Sequence, residues 1–198
     1  PDDLLIEVSK MEELVEKMRT ILNSYYRAHP LRIGMKQEEL KSHMALPEKE
    51  FETIISYLDE QGIFDVQNGL VSLPSRKIQF LPRQERSVRQ LLTLFAESPS
   101  EPPAVDECIN SVGKDVYQSL LDQQILIQIS AQIVFTIENY TRMENEIITA
   151  IKQRGKISLA EVRDLLQTSR KYALAILEHL DRKGVTIREG DFRKLKKG

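Results

Sequence analysis

Residues 180–195 read LDRKGVTIREGDFRKL and residues 58–73 read LDEQGIFDVQNGLVSL. Each stretch predicts a helix end, a glycine, a short strand, a glycine-containing turn and a second short strand. Residues 121–136, LDQQILIQISAQIVFT, repeat the pattern with Gln in place of the first Gly and Ala-Gln at the turn. The pattern recurs at about 60 residues, a plausible size for a very small domain, so the chain reads as three tandem copies of one unit.

The correspondence continues upstream. Gln37 to Gly62 lies over Leu159 to Gly184, with Leu40 on Val162, Ile54 on Ile176, Ile55 on Leu177 and Leu58 on Leu180. These apolar positions fall at helical spacing and predict two short helices joined by a tight turn. Pro47 suits the first turn of the second helix, Thr168 or Ser169 can cap its counterpart, and Gly62 and Gly184 suit the left-handed position past the helix end. A further helix precedes each pair, at Met11–Tyr25, Arg83–Glu97 and Arg142–Arg154. The predicted order is helix, short extended piece, helix, helix, strand, turn, strand. That is a helix-turn-helix followed by a β-hairpin wing, a mainly α (α+β) fold of three tandem winged helices. Joins are expected near Pro74–Lys77 and Ile137–Tyr140, giving copies at 1–75, 76–137 and 138–198. The proline-rich Ser98–Pro103 run is expected to be a loop inside the middle copy.

Composition narrows the function. The 198 residues carry a single Cys (Cys108) and three scattered His (His29, His43, His179), too few for a zinc site or disulfide framework. That usage suits a reducing compartment, and a cytoplasmic location is expected. No apolar run approaches the ~20 residues of a membrane span, and the opening Pro-Asp-Asp does not resemble a signal peptide. No GxxxxGK or GxGxxG loop, nucleophile–base set or metal cluster is present, so neither a catalytic site nor a cofactor is expected in this chain. The net charge of −2 conceals a gradient: −6 over residues 1–75, −1 over 76–137 and +5 over 138–198.

A winged helix meets nucleic acid through the start of its third helix and its wing. In the first copy that helix opens Pro47-Glu48-Lys49-Glu50, and its wing has no Lys or Arg. The middle copy opens Gly113-Lys114-Asp115-Val116 and has an uncharged hairpin. Both read as spacers. The last copy opens Ser169-Arg170-Lys171-Tyr172, and its wing reads Arg188-Glu189-Gly190-Asp191-Phe192-Arg193-Lys194. Arg can bond a phosphate or guanine edge bidentately, Lys adds a mobile charge, and helix-start N–H groups add donors. Gly190 permits a tight wing tip. Any one of these basic residues could be solvated surface; their coincidence at both contact elements of one copy favours contact. Tyr172 could stack on a base or pack beside the second helix. His179 reads as a partly buried structural histidine, Asp164 as a local polar contact near Thr168, and the Lys194, Lys196, Lys197 cluster as weaker evidence.

Residues 158–195 closely resemble the C-terminal end of the bacterial selenocysteine-specific elongation factor family, SelB. The resemblance lies in Arg163-Asp164-Leu165-Leu166, Thr168-Ser169-Arg170-Lys171-Tyr172-Ala173, Glu178-His179-Leu180-Asp181 and Gly190-Asp191-Phe192-Arg193. It implies an mRNA-binding region whose last winged helix grips the selenocysteine insertion hairpin. GTP, selenocysteyl-tRNA and the ribosome would be engaged through the full-length factor. Carried over, the RNA-binding residues are Ser169, Arg170 and Lys171, with Arg188 and Arg193 of the wing; Tyr172 and Lys194 complete the candidate set. The family often has Gly before the place of Thr168 and a second basic residue before Arg188, where this chain has Gln167 and Ile187. The residues alone leave a DNA-binding regulator or a protein-interaction array open. A DNA regulator usually reads half-sites as a dimer, whereas one basic copy suits a monomer on a single hairpin.

Overall fold

The computed structural model describes residues 8–74 and 76–196. Residues 1–80 and 81–198 form two compact units. The first contains α1 (Val8–Ala28), β1 (Met35–Lys36), α2 (Gln37–Met44), α3 (Glu48–Glu60), β2 (Asp65–Gln67) and β3 (Leu70–Ser72). The second contains α4 (Pro82–Glu97), α5 (Val105–Val112), α6 (Lys114–Asp122), β4 (Leu126–Gln128) and β5 (Val134–Thr136). It continues through α7 (Ile137–Arg154), β6 (Ile157–Ser158), α8 (Leu159–Leu165), α9 (Arg170–Arg182), β7 (Thr186–Glu189) and β8 (Phe192–Leu195).

The first and last copies have the same antiparallel three-stranded sheet, β1-β3-β2 and β6-β8-β7, in which the short extended piece joins the wing. The middle sheet is only the β4-β5 hairpin. Its expected extended piece falls in Ser98–Pro103, where three prolines withhold the N–H groups a ladder needs. The repeat register also shifts by one residue there. Ile125 N–H donates to Leu120 O, as Ile63 does to Leu58 and Val185 to Leu180, so Leu120 rather than Leu121 occupies the helix-end core position. Gln124 (φ 56) accordingly takes the left-handed place of Gly62 (φ 65) and Gly184 (φ 72).

The first unit closes its own core, with Met18, Leu22, Leu40, Phe51, Leu58, Phe64 and Val71 buried together. In the second unit the core of the last copy is not made by that copy alone. Ile129, Ile133 and Phe135, from the middle hairpin and its turn, are buried with Tyr140, Met143, Ile147, Val162, Ile176 and Leu180. The join expected at Ile137–Tyr140 lies inside α7. β5 runs straight into that helix, and the Thr136 hydroxyl accepts from Asn139 N–H as its cap at 3.3 Å. A middle hairpin that reads as an uncharged wing is thus a packing element.

His179 is half-buried on α9, its ring perpendicular to Tyr140 at 5.3 Å. Burial lowers its pKa, and Arg182 and Lys183 lower it further against the opposing pull of Glu144. Tyr140 and Glu144 face it from α7, and Arg182 and Lys183 flank it at the end of α9. Because the folded protein resists protonating this ring, stability should decline as pH falls below about 6.5, where the unfolded chain takes up the proton first. Unfolding midpoints between pH 7 and 5 should therefore fall less steeply in His179→Gln than in the wild type; equal slopes would contradict this assignment.

Candidate nucleic-acid interface

The third helix of the last copy, α9, buries Ala173, Ile176, Leu177 and Leu180 along one stripe. That stripe fixes its rotation and leaves Arg170 and Lys171 exposed at its first turn. Arg170 makes no ion pair or hydrogen bond among the described residues, and the Lys171 ammonium lies 5.6 Å from the Tyr172 ring. The turn before them holds Gln167 in the left-handed region (φ 48), which a glycine would adopt without strain. The Asp164 carboxylate pairs with Arg163 at 2.6 Å rather than with Thr168.

The wing separates its candidates. Cross-strand pairing sets Arg188 opposite Arg193 and Ile187 opposite Lys194. Arg188 is exposed near the tip, its Nε donating to Gly190 O at 3.1 Å, and Gly190 sits at φ 61. Arg193, expected from the sequence to contact RNA, is buried. Its side chain is 4% exposed and its Nε lies 3.2 Å from Asp181 Oδ2, while Asp181 Oδ1 accepts from the Thr186 hydroxyl at 2.6 Å. The reason is strand position: Arg193 lies on β8, the central strand between β6 and β7, where it shares Asp181 with Thr186 at the end of α9 and fastens the wing to the helix. Asp59 has the equivalent place in the first copy, accepting from Val66 N–H at 2.8 Å. Lys194 is ion-paired with Glu189, whose pKa that partner lowers. Lys196 is exposed, and Lys197 lies outside the described residues.

Ser169 and Tyr172 are also committed within the protein. The Thr168 hydroxyl donates to Ser100 O at 2.9 Å, Ser169 N–H to Glu101 Oε1 at 2.5 Å and the Tyr172 hydroxyl to Pro102 O at 3.0 Å. Neither Thr168 nor Ser169 caps α9 with its side chain. Tyr172 is half-buried and edge-on to Phe135, 6.1 Å between centroids, so it packs against the middle copy and is not displayed for stacking.

Two basic features escaped the sequence reading. The Lys156 ammonium lies 4.0 Å from the Phe192 ring; only the pairing of β6 with β8 brings it beside the wing, and no local pattern marks it. Arg83, Arg86 and Arg89 are all exposed on α4, and their three-residue spacing was a visible signal. It was hidden by the acidic residues from Glu97 onward, which bring the middle copy's net charge near zero. The first copy, in contrast, opens its third helix with Glu48, paired to Lys41 at 3.2 Å.

Two family models, each described as the winged helix of elongation factor SelB, match residues 19–73 and 149–195. The selenocysteine-specific elongation factor of Desulfomicrobium baculatum is 24% identical over 185 residues, covering 89% of this chain and 29% of that protein. Its counterpart in Escherichia coli K12 is 26% identical over 184 residues, covering 88% and 29%. The chain therefore spans less than a third of the length of these relatives. The crystal structure of the bacterial selenocysteine-specific elongation factor EF-Sec superposes with a TM-score of 0.50 at 22% identity, over 97% of this chain and 32% of that one. The mRNA-binding domain of SelB from E. coli, in complex with SECIS RNA, gives a TM-score of 0.47 at 27% identity over 60% of this chain and all of that one. The two family models fall on the helix-turn-helix and wing of the first and last copies and together cover just over half the chain, which belongs to the winged-helix region of the SelB family of selenocysteine-specific elongation factors.

Proposed function

We propose that this region anchors a selenocysteine-specific elongation factor to the selenocysteine insertion hairpin of mRNA through its last winged helix. The observation that carries the reading is the pairing of an exposed Arg170 and Lys171 at the start of α9, neither in an ion pair among the described residues, with an exposed Arg188 on the wing, in one copy of three. An A-form helix offers no accessible major groove to α9, so these residues engage the hairpin's backbone and an extruded base. Arg170, Lys171 and Arg188 are the direct contacts. Ser169, Tyr172 and Lys194 hold the turn and wing in shape, and Arg193 does so from inside.

The ribosome and selenocysteyl-tRNA would be partners of the whole factor, acting in the cytoplasm. The family also implies GTP, but this chain has no glycine-rich phosphate loop to hold it, so no step here runs through the nucleotide. We assign this region no catalytic activity and no cofactor. Among the described residues no helix is long and apolar enough to cross a membrane.

The test compares binding to an RNA hairpin with a bulged base, the same hairpin without the bulge, and duplex DNA, across salt. The bulged hairpin should bind tightest; equal binding to duplex DNA would favour a DNA-binding regulator, and no binding a protein-interaction array. Arg170→Ala should weaken the bulged complex by about 1–3 kcal/mol, while Glu48→Ala should leave it unchanged. An equal effect of the two would misplace the site.

A further inference from the structure

Three consecutive residues of the middle copy, Ser100, Glu101 and Pro102, bond to Thr168, Ser169 and Tyr172, the residues around the first turn of α9. The central bond has a recognisable logic. In α4, α5 and α8 the third helical residue, Gln84, Glu107 or Glu161, reaches back to accept the N–H of the capping residue, Leu81, Ala104 or Ser158. At α9 the third residue is Tyr172, which cannot accept in that way. Glu101 supplies the missing carboxylate from the preceding copy. It forms no ion pair among the described residues, so its charge stands at the mouth of α9 beside Arg170 and Lys171.

We propose that Glu101 determines specificity in the RNA-binding turn, by placing a fixed negative charge where a helix start would otherwise accept any backbone phosphate. This rests on the RNA-binding reading above and deepens it. A bare helix start with two cations beside it binds phosphate without regard to sequence or shape. With a carboxylate seated there, a phosphate approaching the turn meets like charge at short range. Arg170 and Lys171 are then left to a group that avoids the carboxylate, namely the edge or face of an extruded base and its flanking backbone. The Ser98–Pro103 loop thereby makes the middle copy part of the recognition element. Its prolines, which cannot join the sheet, are what free it to reach α9.

Glu101→Gln keeps the acceptor oxygen and removes the charge, and Glu101 is exposed, so the fold should persist. The experiment uses the whole chain with the bulged hairpin and its bulge-deleted form, titrated across salt. The variant should bind the bulge-deleted hairpin several-fold more tightly than the wild type and the bulged hairpin little better. Preference for the bulge should fall accordingly, and the salt slope for the bulge-deleted hairpin should steepen by about one. Thr168→Val, which removes the neighbouring bond without changing charge, should keep the wild-type preference. A wild type that prefers the bulged hairpin, with a Glu101→Gln variant of unchanged preference and slope, overturns this inference alone. Equal weakening of both hairpins by Glu101→Gln also overturns it, since Glu101 would then only brace the turn. A wild type that binds neither hairpin overturns the RNA reading and this inference with it.

Discussion

Phe135→Ala is expected to destabilise residues 81–198 by about 3–5 kcal/mol, the usual cost of truncating a fully buried phenylalanine. The side chain is inaccessible to solvent. It sits on the hairpin of the middle copy, but the cluster it completes is the core of the last copy, and its ring meets Tyr172 at the base of the binding turn. The cavity would therefore open between the scaffold and the recognition helix. Thermal unfolding should show a drop of roughly 10–20 °C in the transition of this unit, with the unit at residues 1–80 unaffected because it closes a separate core. Two resolved transitions within residues 81–198, only one of them shifted, would mean that the middle and last copies fold independently.

Asp181→Ala is expected to cost about 3 kcal/mol, because it leaves the Arg193 guanidinium buried without its counter-charge and the Thr186 hydroxyl without its acceptor. The double variant Asp181→Ala with Arg193→Met should recover much of this, since removing both charges takes away the desolvation penalty along with the attraction. Chemical denaturation of the single and double variants checks the pair. If Arg193→Met alone lowered RNA affinity at full stability, Arg193 would be a contact residue as the sequence suggested. The structure leads us to expect the converse, with the affinity loss belonging to Arg188.

The contrast between Arg188 and Arg193 measures what one-dimensional reading can reach. Both are basic, both lie on the wing, and both fall within the stretch that resembles the family. They are cross-strand partners on one sheet face, and strand position separates them: Arg193 lies on the central strand β8 over Asp181, whereas Arg188 lies on the edge strand β7 near the tip. Ser169 and Tyr172 divide from Arg170 and Lys171 for a similar reason. Their partners, Glu101 and Pro102, lie about 70 residues away in sequence, and no local pattern announces a contact at that distance.

Local physics, written in the order of residues, determined the repeating unit, the helix-turn-helix and wing of its first and last copies, and the concentration of positive charge in the last. Apolar spacing fixes which helix face is buried, and glycine at a helix end fixes where the chain turns. Tertiary structure alone decided which basic residues stay exposed, that the last core is finished by the middle hairpin, and that Glu101 sits at the start of α9. Those outcomes depend on packing and electrostatics between segments far apart in the chain, and each is set by the position of the partner rather than by the identity of the residue.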